Sequence, residues 1–130
     1  MMSTTKIFNT QLFNFATVLV NRFPDDKELK LGLTGVETLS KVNPKKNVEI
    51  FTMYVYKYRE QIMNKNEKFI VETDFISDNP DLNSNGASDI MQRLKLNWSE
   101  LTQDDKENIW KYLKVLITLT DKYIKETLEK

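Results

Sequence analysis

The chain has 130 residues, the size of one ordinary domain, and its nineteen Lys and Arg residues balance nineteen Asp and Glu. It contains neither cysteine nor histidine, which excludes thiol nucleophiles, redox pairs, zinc fingers, imidazole-ligated haem and every Ser/His or Cys/His catalytic arrangement. Zero net charge removes the whole-domain field that draws basic proteins to nucleic acid or anionic membranes, leaving only local basic patches.

Residues Ile7 to Phe23 place Phe8, Leu12, Phe15, Leu19 and Phe23 at helical spacing, which predicts a first helix. Asn14, Thr17 and Asn21 interrupt its apolar run and no small-residue cleavage site follows, so it does not read as a signal peptide. No run approaches the roughly 20 apolar residues of a membrane span. The expected setting is the inside of a cell, or a particle assembled there.

Phe-Pro-Asp-Asp at 23–26 ends the first helix, because a proline steers the residue before it away from helical geometry. Leu29, Leu33, Val36 and Leu39 form a loose second stripe. Gly32 and Gly35 each cost about 1 kcal/mol inside a helix, which predicts a short or bent element. Asn43 and Pro44 read as the cap and first turn of a third helix over about 44–63, carried by Val48, Phe51, Val55, Tyr58 and Ile62. This helix is the expected packing partner of the carboxy-terminal helix, and Asn64-Lys65-Asn66 closes it.

Residues 67–76 have no clear period and fit either a short helix or an extended segment. Ser77 to Gly86 reads as a loop on its Asp, Asn, Ser, Pro and Gly content. Ala87, Ile90, Met91, Leu94 and Trp98 form the next helical stripe. From Leu101 to Glu129 runs one long helix, with Thr102 as its cap, Asp105 at the capping-box position, and Asp104 and Glu107 at the positive end of its dipole. Ile109, Leu113, Leu116 and Tyr123 lie on one face and Trp110, Ile117, Ile124 and Leu128 beside it, while Tyr112, Val115 and Leu119 make the third side apolar too. Such a helix has to be wrapped by the others.

Few signals carry chemistry. Asp81, Asn83, Asn85 and Asp89 occupy positions one, three, five and nine of an EF-hand-like loop, with Gly86 at the sharp turn. Gln92 replaces the bidentate glutamate, Ser88 replaces the aliphatic residue at position eight, and Pro80 stands in the incoming helix. The simpler reading is a turn with Ser88 capping the next helix, and calcium binding stands third among the functional readings. Asp104, Asp105 and Glu107 read as capping and dipole partners before they read as an acid/base cluster. Tyr54, Tyr56, Tyr58, Trp98 and Trp110 read as core aromatics before base-stacking groups. Lys41, Lys45 and Lys46 read as a solvated helix end.

Three stretches, FNTQLFNFATVLVNRFPDDKELK, VNPKKNVEIFTMYVYKYREQI and LKLNWSELTQDDKENIWKYLKVLITLTDKY, together resemble a family of small uncharacterised proteins of nucleocytoplasmic large DNA viruses, those of algae and amoebae. The resemblance spans nearly the whole chain apart from 77–86 and rests on core and capping residues, with no catalytic motif and no functional residue to carry over. It implies a protein made in an infected cell, located in the host cytoplasm or the virion.

The reading that follows is a single all-α domain over 1–130, a compact bundle of five or six helices with a long, largely buried carboxy-terminal helix. A non-catalytic module is expected, with no cofactor and no membrane, binding another protein or a second copy of itself through surface such as Phe13, Val20 and Tyr56. Nucleic-acid association through a local lysine face is the alternative. For the calcium loop, isothermal titration is expected to give no heat at millimolar metal, and saturable heat would assign the loop to calcium.

Overall fold

The computed structural model of the protein describes residues 3–73 and 86–129, the side chains of 86–89 excepted. Among these the fold is all-α, as expected: α1 (Thr4–Arg22), α2 (Lys27–Val42), α3 (Lys46–Tyr54), α4 (Arg59–Met63), α5 (Glu67–Glu72), α6 (Gly86–Asn97) and α7 (Gln103–Leu128). Two 3₁₀ turns, Tyr56–Tyr58 and Trp98–Glu100, lead into α4 and toward α7. The expected 77–86 loop lies outside the described residues but for Gly86, which opens α6, and residues 67–72 are helical.

Local chemistry accounts for most helix ends. Ser3 caps α1 by accepting from the Lys6 N–H, Asp26 caps α2 by accepting from Glu28 and Leu29, and Asn66 caps α5 through Phe69. Thr102 and Asp105 complete a capping box at the start of α7. At the end of α4 the Lys65 N–H donates to the Ile62 carbonyl and the Asn66 N–H to the Gln61 carbonyl, with Lys65 at φ 53°. That is a Schellman ending with lysine where glycine is usual, at a cost of roughly 1 kcal/mol. The Lys65 amine reaches Glu107 of α7 at 2.8 Å, which ties this turn to the long helix.

Two expectations need correction around α3. Asn43 does not cap it; its N–H donates to the Leu39 carbonyl at 2.8 Å, so Asn43 closes α2, and Lys45 precedes α3 without a side-chain cap. Nor is 44–63 one helix. The Tyr58 N–H bonds the Val55 carbonyl three residues back, and a 3₁₀ turn separates α3 from α4. Thr52, Tyr54, Val55, Tyr56 and Tyr58 are β-branched or aromatic and lose side-chain freedom in a helix, so tertiary contacts prevail over the α-helical ladder there.

The second helix is longer than its glycines suggested, 16 residues. Leu29, Gly32 and Val36 form its buried face, and α2 packs against both α1 and α6. Gly32 belongs to the contact, where the missing Cβ permits close approach of backbones.

The principal neighbour of α7 is α1 and not α3. The pair is antiparallel: Thr4 Oγ1 donates to Glu126 at 2.8 Å at one end, and Arg22 Nε donates to Asp105 at 2.9 Å at the other. Between them the Phe15 and Tyr112 rings lie 5.7 Å apart. Phe8, Leu12, Phe15 and Leu19 of α1 join Ile109, Trp110, Leu113, Leu116 and Ile117 of α7 in one core. Trp98 and Trp110 are buried there with rings edge to face at 5.5 Å, and are core aromatics. The third side of α7 is only partly covered, because Tyr112 and Leu119 are half-buried while Val115 is 42 % exposed. Among the described residues no helix is long and apolar enough to cross a membrane.

Leu113 and Val115 therefore make a matched test. Leu113→Ala is expected to lower the unfolding free energy by about 2–5 kcal/mol through its cavity, whereas Val115→Ala changes it by about 0.5 kcal/mol or less, both read by urea denaturation.

Candidate functional site

Each carboxylate with a perturbed titration is held by a partner on another element. Burial opposes ionisation of Asp26, but hydrogen bonds from Asn97, Arg93 and the Leu29 N–H outweigh it and keep its pKa below 3.8. Arg93 NH2 lies 2.8 Å from Asp26 Oδ2, joining α6 to the start of α2. Glu67 accepts from Lys106 Nζ at 2.6 Å and from Trp98 Nε1 at 2.7 Å, and both lower its pKa. Asp105 is lowered by Arg22 and by the capping box. Glu107 is lowered by Lys65.

Asp121 of α7 takes both Nε and NH2 of Arg59, at 3.1 and 2.9 Å, and also the Tyr56 hydroxyl. Arg59 is the first cause of its lowered pKa, and the hydrogen bond to Asp121 raises that of Tyr56. The carboxylates stay ionised near neutrality while the Tyr56 phenol stays protonated, which suits structural ties; a general acid needs a carboxyl pKa raised toward neutrality. Among the described residues no group of three or more Asp or Glu side chains is placed to hold a metal ion.

An open groove of about 560 Å³ lies between the first half of α1 and the end of α2. Phe13 and Pro44 supply apolar wall, Thr10 and Ser40 add hydroxyls, and Lys41 pairs with Glu37 at 3.2 Å on the rim. Beside it sits a buried amide network. Asn9 Nδ2 donates to the Pro44 carbonyl at 2.9 Å, while Asn47 Nδ2 lies 3.2 Å from Asn9 Oδ1, the Val36 carbonyl and Ser40 Oγ. The network fixes α1, α2 and α3 relative to one another, so the groove is pre-formed.

Of the three residues expected on an interaction surface, only Phe13 lines this groove, at 36 % exposure. Val20 is half-buried against the core. Tyr56 is half-buried as well, its hydroxyl committed to Asp121. Asp81, Asn83 and Asn85 of the calcium-loop pattern lie outside the described residues, as does the side chain of Asp89. Lys45 and Lys46 are exposed at the start of α3.

A second surface was not singled out in the sequence. Lys111, Val115, Thr118, Lys122 and Lys125 are exposed along α7, with Lys114 half-buried beside them. The helical period places these residues on one face, while the balanced total charge hides the local stripe.

No protein-family model, curated protein or solved structure matches this chain.

The lowered carboxylates fix the sign of the acid response. A depressed folded pKa contributes stability above the ordinary values of 3.8 and 4.5, and that contribution is lost as pH falls through the folded value. With no histidine in the chain, the denaturation midpoint is expected to stay level between about pH 8 and pH 6 and to fall below about pH 4.5. Replacing Asp121 by Asn should flatten part of that fall, as read by urea denaturation at each pH.

Proposed function

We propose that this chain is a non-catalytic helical interaction module that binds another protein, or a second copy of itself, through the groove between α1 and α2. The exposure of Phe13 beside that pre-formed groove carries the reading. An aromatic ring left 36 % exposed on a helix whose other aromatic stripe is buried is a ready anchor for an apolar side chain of a partner. The volume, about 560 Å³, also suits one or two inserted side chains. The non-catalytic part rests on the absence of Cys and His and on carboxylates tied to Arg, Lys and Tyr. The proposed setting, the host cytoplasm or the virion of a large DNA virus, rests on the resemblance of the three sequence stretches alone.

Nucleic-acid association is the second reading, favoured by the lysines along α7. Those lysines are flanked by acidic residues at both helix ends, which shortens any phosphate contact.

A photo-reactive phenylalanine analogue placed at position 13 in producing cells is expected to give covalent adducts that the same analogue at exposed Glu60 does not give. Phe13→Asp is expected to abolish self-association or partner binding with the helical circular dichroism unchanged. A strict monomer in sedimentation velocity, together with no adduct at position 13, would reject the module.

A further inference from the structure

The solvent face of α7 carries a stripe of lysines whose amines form no ion pair among the described residues, Lys111 acting on Glu107 only through space. Lys111, Val115, Thr118, Lys122 and Lys125 follow one another at alternating steps of four and three, and Lys114 flanks them. At about 1.5 Å per residue the stripe is roughly 21 Å long. Oppositely charged residues four apart on a helix ordinarily pair. Glu107 stands four residues before Lys111, but both of its oxygens are taken by Lys65, at 3.1 and 2.8 Å. Asp121 stands four before Lys125, and is held by Arg59 and Tyr56. Glu126 stands four after Lys122, and accepts from Thr4 at 2.8 Å. Among the described residues no ion pair or hydrogen bond engages the amines of Lys111, Lys114, Lys122 or Lys125.

We propose that this face docks an acidic helical segment of a partner protein, laid along α7, with its glutamates or aspartates on the four lysines and an apolar residue on Val115. Steps of four and three keep these side chains on one line along which a second helix can lie, and Val115, one turn from the amino-terminal end of the line, is its apolar point. The stripe is bounded. Asp104 precedes it and Glu129 follows it, so a phosphate backbone continuing in either direction would meet carboxylates. A helical segment of about four turns ends where the lysines end. Two copies of this face set against each other would oppose lysine with lysine, so the second copy is the wrong occupant here. The surface is distinct from the Phe13 groove.

The test uses the full chain and a synthetic helical peptide bearing glutamates on one face around a central leucine, followed by fluorescence anisotropy at about 50 mM and about 300 mM salt. Binding is expected at low salt, weaker at high salt, and weakened by roughly tenfold or more in K111E/K122E/K125E, with K111Q/K122Q/K125Q intermediate. Phe13→Asp should bind the peptide like the parent, which separates this face from the groove. A peptide of the same composition with its glutamates spread around the helix should bind more weakly. Equal binding of the scrambled peptide, no binding at low salt, or binding insensitive to the lysine changes would overturn the proposal. So would a lysine-dependent affinity for single- or double-stranded DNA, or for phosphatidylserine vesicles, exceeding that for the peptide.

Discussion

The antiparallel contact between α1 and α7 is the constraint from which the remaining packing follows. α7 is 26 residues long and carries apolar side chains around most of its circumference between Ile109 and Ile117, so in isolation it would leave a wide apolar band in water. α1 covers part of that band with a stripe of its own, and polar pairs at the two ends, Thr4 with Glu126 and Arg22 with Asp105, oppose sliding of one helix past the other. Once those two lie together, α2 and α6 can close over the far side of α1 and the broken α3–α4 segment can fill the gap beside α7. Exposed ion pairs of this kind add little energy, and their contribution is to register.

The carboxylates follow the same logic at a distance. Asp26, Glu67, Asp105, Glu107 and Asp121 each join two elements that lie far apart in the chain, and each is held ionised by the cation or donor it meets. Committing Glu107 to the turn at Lys65, Asp121 to α4 and Glu126 to α1 has a second effect. It removes from α7 the acids that would have paired with its own lysines, and the solvent side of the helix is left positive in a chain of zero net charge. The fold and the surface are thus coupled, since the same ties that align the helices expose the lysines.

The groove beside Phe13 has a comparable origin. Asn47 of α3 is fully buried and reaches Asn9 of α1 and Ser40 and the Val36 carbonyl of α2. The Asn47 Nδ2 ties three helices together beside the groove, while its own Oδ1 is buried without a partner among the described residues. Phe13 lies at the wall of the open groove while Phe8 and Phe15, one face away on the same helix, go into the core.

Much of the architecture was legible from residues close together in the chain. The stripe Phe8, Leu12, Phe15 and Leu19 is buried as its spacing demanded, the Thr102–Asp105 capping box starts α7, and Asn64-Lys65-Asn66 ends α4. What misled were signals with two local solutions: Asn43 and Pro44 suit a cap or a helix end equally, and Val48 to Ile62 keeps a helical period through a stretch that breaks into a 3₁₀ turn. The sequence by itself determined that the chain is helical, where most helices begin and stop, and which stripes are apolar, because spacing, capping and proline act within a few residues. Only the tertiary structure decided that α1 and not the third helix lies on α7, that Asn9 meets Asn47, and that the acids of α7 turn to other helices and leave its lysines bare. Those outcomes depend on pairings between residues dozens of positions apart, whose energies exist only once the helices are in contact.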